Sequence, residues 1–322
     1  MRALVVGAGA VGQVLARHLA LGGAEVAFLV KPSHADELAR PLAFYPLNGR
    51  RGLAHLAGVG VLTAPGQAAG SPWDQVYLGV ASTGLRDGAW LAELGAATGA
   101  ATVVALQPGL GDGELILAAV DPARVVFGVT SFLSWHAPLP GQAPLPEPGF
   151  AYWFPPLGKS PFSGPAERAA AVVAALRAGG LPSRVVPDAR RLSVVPSAVF
   201  TGCIAALEAA GWTFAGLRRD GWLARGCAAG REAVAIGARA AGAGAARLAR
   251  LLLRPLVARL VLRLAPHVVP FDLETYTRVH FRKVGGQTPL AFEEYVAAGQ
   301  RLGLPTAALR ALAADVAAAR AG

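Results

Sequence analysis

Short apolar blocks set the rhythm of the first half of the chain: Ala3–Val6, Glu25–Val30, Val76–Val80, Ala101–Leu106 and Val125–Val129. Blocks of this length, bounded by Gly, Pro or small polar residues, have the form of strands buried on both faces. Between them apolar residues recur at helical spacing, which predicts helices over Gln13–Leu21, residues 33–39, Leu85–Leu94 and Glu114–Val120, the last with Asp112 as N-cap. Leu42–Val61 reads as strands near a sheet edge. Regular alternation of strand and helix means a parallel, doubly wound sheet. From Thr130 to Pro187 the pattern turns antiparallel, with strands over Ser131–His136, Phe150–Phe154 and Arg184–Val186 and a helix over Ala166–Ala178. After Leu192 only helical spacing remains, over Ser197–Ala210, Ala224–Ala241, Ala245–Leu253, Leu256–Leu264, Leu273–Arg282, Pro289–Leu302 and Thr306–Ala319. The expected architecture is an α/β domain with a mainly parallel sheet over residues 1–188, then an all-α domain over 189–322.

The first block runs into Gly7-Ala8-Gly9-Ala10-Val11-Gly12, a G-x-G-x-x-G turn placed between a strand and a helix. In that position the pattern points to a Rossmann-type dinucleotide site. Gly7 permits the tight turn, Gly9 lets the backbone approach a pyrophosphate, and Gly12 lets helix and strand pack closely. The N–H groups of Ala10 and Val11 would then face the phosphates at the helix start. A turn using glycine only for packing is the alternative. An NAD site usually carries Asp or Glu at the end of the second strand, to bond the ribose hydroxyl. Here Lys31-Pro32-Ser33 stands there, and a cation suits the 2′-phosphate of NADP. An ordinary solvated lysine is the other reading. Arg40 is a second candidate for that phosphate. Ala81 and Ser82 after one strand, and Gln107 and Pro108 after the next, lie at carboxyl ends of strands, where a dinucleotide would rest.

Composition narrows the classes. The chain of 322 residues is too long for one ordinary core. Leu251–Pro270 is the most membrane-like stretch, but Arg254, Arg259 and Arg263 interrupt it and Pro255 breaks it, so no membrane span is expected. The chain starts directly in a strand, with no signal peptide in view. Cys203 and Cys227 form neither a disulfide framework nor a metal spacing, so no metal is expected and the setting reads as reducing and cytoplasmic. H-E-x-x-H, G-x-S-x-G and Walker patterns are absent from the sequence. The formal charge of +10 is carried almost wholly by arginine. On a continuous helix Arg239, Arg247, Arg250 and Arg254 would share one arc, either a stripe for nucleic acid or anionic membrane or a solvated face. Without interleaved aromatics the solvated face is favoured, and neither nucleic acid nor membrane is expected as a partner. Trp135, His136, Tyr152 and Trp153 could line a substrate mouth, though packing on a sheet face is the commoner use.

Taken together, these residues make the chain resemble the ketopantoate reductase family over nearly its whole length. The resemblance rests on Gly7–Gly12, Lys31, Asp74, the Gln107-Pro108-Gly109 turn, Glu232, and the C-terminal Gly299, Gly303, Leu304, Pro305 and Thr306. It implies an NADP-binding domain joined to a helical domain of the 6-phosphogluconate-dehydrogenase C-terminal type. It also implies reduction of a small carbonyl compound by NADPH. The family's proton-donating lysine, however, falls on Val195 or Pro196, and its asparagine after the fifth strand on Pro108. Its lysine after the fourth strand falls near Ala81 or Ser82, its late glutamate on Gln287 and its serine on Thr275. The resemblance therefore supports fold and cofactor and points away from ketopantoate itself as substrate. A replacement donor is sought in His280-Phe-Arg-Lys283, with Lys283 as general acid or oxyanion stabiliser and His280 as the alternative acid. A lysine shielded in a cleft would have a lowered pKa suited to the task. Gln287 and Thr275 are then substrate hydrogen-bonders, and a plain polar helix end is the competing reading. Ser197, Thr201 and Glu208 share a helix face, which capping and exposure explain equally well. A dehydrogenase or imine reductase, and a non-catalytic NADP-binding sensor, are the rival functions. A homodimer is compatible with the sequence, which leaves the assembly open.

Overall fold

The computed structural model describes residues 1–49, 52–219, 221–242 and 246–321. The chain divides into two compact units, one of residues 1–107 and 112–189, the other of 108–111 and 190–322.

In the first unit β1 (Arg2–Val6) leads through the glycine turn into α1 (Ala10–Leu21), then β2 (Glu25–Leu29), α2 (Ala35–Leu38), β3 (Leu42–Pro46), β4 (Ala54–Leu56) and β5 (Gly60–Leu62). There follow β6 (Gln75–Leu78), α3 (Trp90–Ala97), β7 (Thr102–Ala105), α4 (Asp112–Ala119) and β8 (Val125–Gly128). The unit ends with β9 (Leu133–Ala137), β10 (Gly149–Trp153), β11 (Ser160–Ser163), α5 (Ala166–Ala178) and β12 (Ser183–Val185). Eight strands form the main sheet in the order β12-β11-β8-β7-β6-β1-β2-β5. From β5 to β8 every pair is parallel, and only β11 runs against its neighbour β8. The strand order reverses beside β1, so the glycine turn sits at a topological switch point, where such sheets bind ligands. Val5, Phe28, Tyr77 and Val104 build one buried face, which packs on Val14, Leu15 and Leu19 of α1. Leu4, Val76, Leu78 and Val103 build the other, against Leu91 and Leu94 of α3.

Three local readings need correction. Only β5 of the region read as sheet edge joins the main sheet; β3 and β4 pair with β10 and β9 in a separate four-stranded sheet. The helix expected over Leu85–Leu94 is a 3-10 turn (Ser82–Arg86) followed by α3, because Gly88 takes a left-handed φ of 89° between them. Strand β11 was not foreseen, since its sequence Ser-Pro-Phe-Ser has neither an apolar run nor β-branched residues.

The second unit is helical among its described residues: α6 (Ala189–Ala209, its first residue in the first unit), α7 (Phe214–Arg218), α8 (Trp222–Ala241), α9 (Ala246–Leu252), α10 (Pro255–Val268), α11 (Leu273–Lys283), α12 (Gln287–Arg301) and α13 (Ala307–Ala321). Helix α6 begins two turns before the expected Ser197, running through Pro196 in its interior. By length and apolarity it could cross a membrane, the one such helix among the described residues. Val195, Ala198, Ala205, Ala206 and Leu207 nevertheless belong to the core of this unit. Close approach of α6 and α8 depends on glycine: a Cβ on Gly202 would lie 2.5 Å from the Gly226 carbonyl oxygen. The four arginines read as one stripe lie on separate elements, Arg239 in α8, Arg247 and Arg250 in α9, and Arg254 at the start of α10.

Candidate functional site

At the switch point each glycine of the turn has a different reason. Gly7 has φ of 91°, and its N–H donates to the Leu29 carbonyl at 2.9 Å, tying the turn to the end of β2. A Cβ on Gly12 would stand 2.1 Å from the Gly7 carbonyl oxygen, so the fold itself demands glycine there. Gly9 differs: a Cβ built on it meets no atom within 4 Å, and its φ of −71° suits any residue. The protein's own packing does not require Gly9, whereas a pyrophosphate seated on the backbone would. The first turn of α1 carries no acidic residue. The N–H groups of Ala10, Val11 and Gly12 find no carbonyl within their own helix, and the helix start favours an anion. These residues fit a dinucleotide.

Beyond β2, Val30 N–H bonds the Leu62 carbonyl, and Lys31 then stands exposed with no ion pair among the described residues. Arg40 is exposed as well. The acidic Glu37 is occupied by His34 at 3.7 Å. Between β2 and α2 the chain carries Lys31 and no acidic residue; Asp36 and Glu37 come only in α2.

Two predicted cofactor residues, Ser82 and Gln107, make bonds within the protein. Ser82 is buried, and its hydroxyl donates to Asp112 Oδ2 at 2.6 Å, so its one proton is committed within the protein. Asp112, expected to precede the helix, is the first residue of α4; fully buried, it also accepts from Arg86 at 2.9 Å. The amide of Gln107 donates to the Leu78 and Val80 carbonyls at 2.8 and 2.9 Å and accepts from Leu106 N–H at 3.0 Å. It clamps the carboxyl ends of β6 and β7. Pro108 belongs with the second unit, where the neighbouring Leu110 N–H donates to Glu294 Oε2 at 3.0 Å. Asp74 accepts from Arg2 N–H at 2.7 Å, and Glu232 accepts from Leu309 N–H at 2.9 Å. Trp135, Tyr152 and Trp153 are buried in packing, while His136 is exposed and packs edge-on to Phe150.

In the second unit Val195 is core and Pro196 is exposed, so neither position of α6 supplies a proton. Thr201 donates back to the Ser197 carbonyl at 2.9 Å, and Glu208 is paired with Arg320 at 2.6 Å. Thr275 is spent on the start of α11: its hydroxyl donates to Asp272 Oδ2 at 2.6 Å and its N–H to Oδ1 at 3.1 Å. Burial opposes the Asp272 charge, but the bonds from Thr275 and the Glu274 backbone, with Arg278 nearby, outweigh it and lower the pKa. His280 stacks on Tyr276 at 5.3 Å, and burial together with the charge of Lys283 holds its pKa below the ordinary histidine value. Lys283 is exposed rather than shielded, which removes the expected cause of a lowered pKa. It borders a cavity of about 670 Å³ with Arg282, Arg320, Glu208 and Trp212, while His280, Thr275 and Gln287 lie outside that lining. Arg320 and Trp212 were not foreseen, because they come to Lys283 from distant stretches of chain. Gln287 opens α12 with its side-chain amide unbonded among the described residues.

Among the described residues no cluster of His, Cys, Asp and Glu could hold a metal. Burial, with a smaller contribution from Cys227, pushes the Cys203 thiol up to about 12.

A parallel sheet reversed at a Gly-x-Gly-x-x-Gly turn, with a helical unit after it, defines a Rossmann-type, dinucleotide-binding oxidoreductase fold. Residues 3–143 match the family described as ketopantoate reductase PanE/ApbA. Solved structures extend the likeness of fold to the whole chain. A PanE/ApbA family ketopantoate reductase from Ralstonia eutropha JMP134 superposes with a TM-score of 0.70 at 20% identity, covering 99% of this chain and 98% of that one. For a 2-dehydropantoate 2-reductase from Geobacter metallireducens GS-15 the values are 0.71 and 21%, covering 99% and 100%. D-mandelate dehydrogenase, solved with NADH and anilino(oxo)acetate, gives 0.72 at 14% identity, covering 99% and 98%. No protein of curated function matches the chain in sequence.

Proposed function

We propose that the chain is an NADPH-dependent reductase of a small carbonyl compound, a 2-oxo acid or related ketone other than ketopantoate. The observation that carries this reading is the open space before Gly9, beside a helix start with no acid, in a domain that matches a reductase family. Ala10 and Val11 would bind the pyrophosphate through their N–H groups, and Lys31, with Arg40, the 2′-phosphate. Bound there, the cofactor supplies hydride to the carbonyl carbon. The alkoxide that develops needs a proton or a cation near its oxygen. Lys283 suits this role best at its end of α11: it is cationic and borders a cavity with Arg282. His280 is held neutral by burial, and the hydroxyl of Thr275 is committed to Asp272. Gln287 keeps a free amide for a substrate carboxylate. The test is NADPH oxidation followed by absorbance across a panel of 2-oxo acids, ketones and imines, with Lys283→Ala lowering kcat about 10²–10⁴-fold. Full turnover in that variant sinks the assignment of Lys283.

A non-catalytic NADP-binding protein is favoured by two observations: Lys283 is solvated, and α6 presents Val195 and Pro196 where a proton donor is expected. Tight NADPH binding without oxidation across the whole panel would favour this second reading. Imine turnover alone would instead indicate an imine reductase.

A further inference from the structure

The segment between Glu232 and Asp272 contains no acidic residue but has Arg239, Arg247, Arg250, Arg254, Arg259 and Arg263. The carboxylates at its two ends are engaged elsewhere, Glu232 with Leu309 N–H and Asp272 with Thr275. Within it, α10 has no buried residue. Ala258 and Leu262 lean on the core of the second unit, and the Leu253 carbonyl before the helix accepts from Arg231 at 2.7 Å. On its outer side Leu256, Leu260, Leu264 and Val268 follow one another four residues apart, a row drifting through about 120° of arc. They are 80%, 56%, 52% and 68% exposed, and Val261 joins them. Arg259, Arg263 and His267 form the adjacent row. Helix α9 continues the surface with exposed Leu248, Leu251 and Leu252 beside Arg247 and Arg250. Nearly half of the large exposed apolar side chains among the described residues lie between Leu248 and Val268. A solvated helix face does not place so many leucines in water.

We propose that α9 and α10 form a docking surface for an anionic lipid membrane, lying in the plane of the interface. Leucines on one side of an amphipathic helix enter the acyl boundary, while flanking arginines extend along it to the phosphate layer. The charge decides between occupants. A second copy meeting this patch about a two-fold axis would set arginine row against arginine row with no carboxylate between. An anionic leaflet supplies the missing charge, and aliphatic side chains of this number find no use against a nucleic-acid backbone.

The full-length protein is floated with vesicles of phosphatidylcholine alone and with vesicles containing about a third phosphatidylglycerol. Binding is expected only to the second, and it weakens as salt rises. Arg259→Gln with Arg263→Gln should lower the partition coefficient about 25-fold, some fivefold for each charge. Leu256→Gln with Leu260→Gln and Leu264→Gln should lower it tenfold or more on the anionic vesicles. Should the leucine variant fail to fold by circular dichroism, the arginine pair and the salt dependence of the wild type decide. Equal binding to both vesicles, or none, overturns the proposal. So does a dimer by light scattering that Leu260→Gln dissociates in the absence of vesicle binding, or retention by duplex DNA without retention by vesicles.

Discussion

Replacing Gly9 by alanine separates what the fold needs from what the cofactor needs. Its added methyl meets no atom within 4 Å, and φ of −71° with ψ of 178° is open to alanine. Loss of backbone freedom in the unfolded chain stabilises by roughly 0.4–1 kcal/mol, and alanine as a poorer helix cap takes back a similar amount. Stability without cofactor should therefore stay within about 1 kcal/mol of wild type. Gly12→Ala is the opposite case, because its Cβ would lie 2.1 Å from the Gly7 carbonyl oxygen. Opening that backbone-to-backbone contact falls at the upper end of overpacking costs, about 3 kcal/mol. In a domain of this size that lowers the first thermal transition by roughly 6–12 °C. NADPH affinity, followed by fluorescence, should fall at least tenfold in Gly9→Ala, since the methyl occupies the place of the pyrophosphate. Two results would refute the reasoning: wild-type affinity in Gly9→Ala, or a loss of apo stability as large as that of Gly12→Ala.

Four further expectations follow from single side chains. His18 is buried, its Nδ1–H donates to the Gly179 carbonyl at 2.7 Å, and Nε2 has no partner, with the Tyr152 and Phe154 rings edge-on nearby. Burial, partly offset by the Gly179 bond and reinforced by Arg17, lowers its pKa to about 4. Because the unfolded chain takes up the proton first, stability is full above pH about 6.5 and is lost as pH falls toward 4. Between pH 7.5 and 5 the loss is about 2 kcal/mol, read by thermal denaturation, and His18→Asn should remove it; an unchanged pH slope in that variant would discount His18. Lys31→Glu should weaken NADPH about 10–100-fold with little effect on NADH, by equilibrium titration, and equal loss for both would remove Lys31 from the phosphate site. Asp112→Ala should cost about 3–5 kcal/mol in chemical denaturation by leaving Arg86 without its buried partner. Ser82→Ala should leave NADPH affinity near wild type in the same titration, and a large loss would show a ligand role for its hydroxyl.

The features legible in the sequence are those set by neighbours along the chain. Apolar blocks separated by helical spacing named β1, β2, β6, β7 and β8 and the parallel sheet, since burial on both faces leaves a continuous aliphatic signature. Gly7 and Gly12 carried the turn for the same reason, a local conformation and a local contact. Strand β11 was hidden, because its place depends on β8 and β12 and not on its own Ser-Pro-Phe-Ser. Helix α6 passed through Pro196 because core burial on Val195 and Ala198 outweighs one lost backbone bond.

Side-chain duties were decided in three dimensions. Ser82, Gln107 and Thr275 carry the polar groups that a ligand would want, and sequence offers no means of seeing that Asp112, the ends of β6 and Asp272 already hold them. Lys283 was a candidate through its place in His280-Phe-Arg-Lys283, yet its exposure and its company with Arg320 and Trp212 come from stretches of chain brought together across more than a hundred residues. The sequence by itself determined the order of elements, the glycine turn and the cation after β2, because each is written in adjacent residues. Which polar groups stay free, and which leucines of α10 remain uncovered, the tertiary structure alone decided, because a hydrogen bond or a buried face needs a partner that spacing does not name.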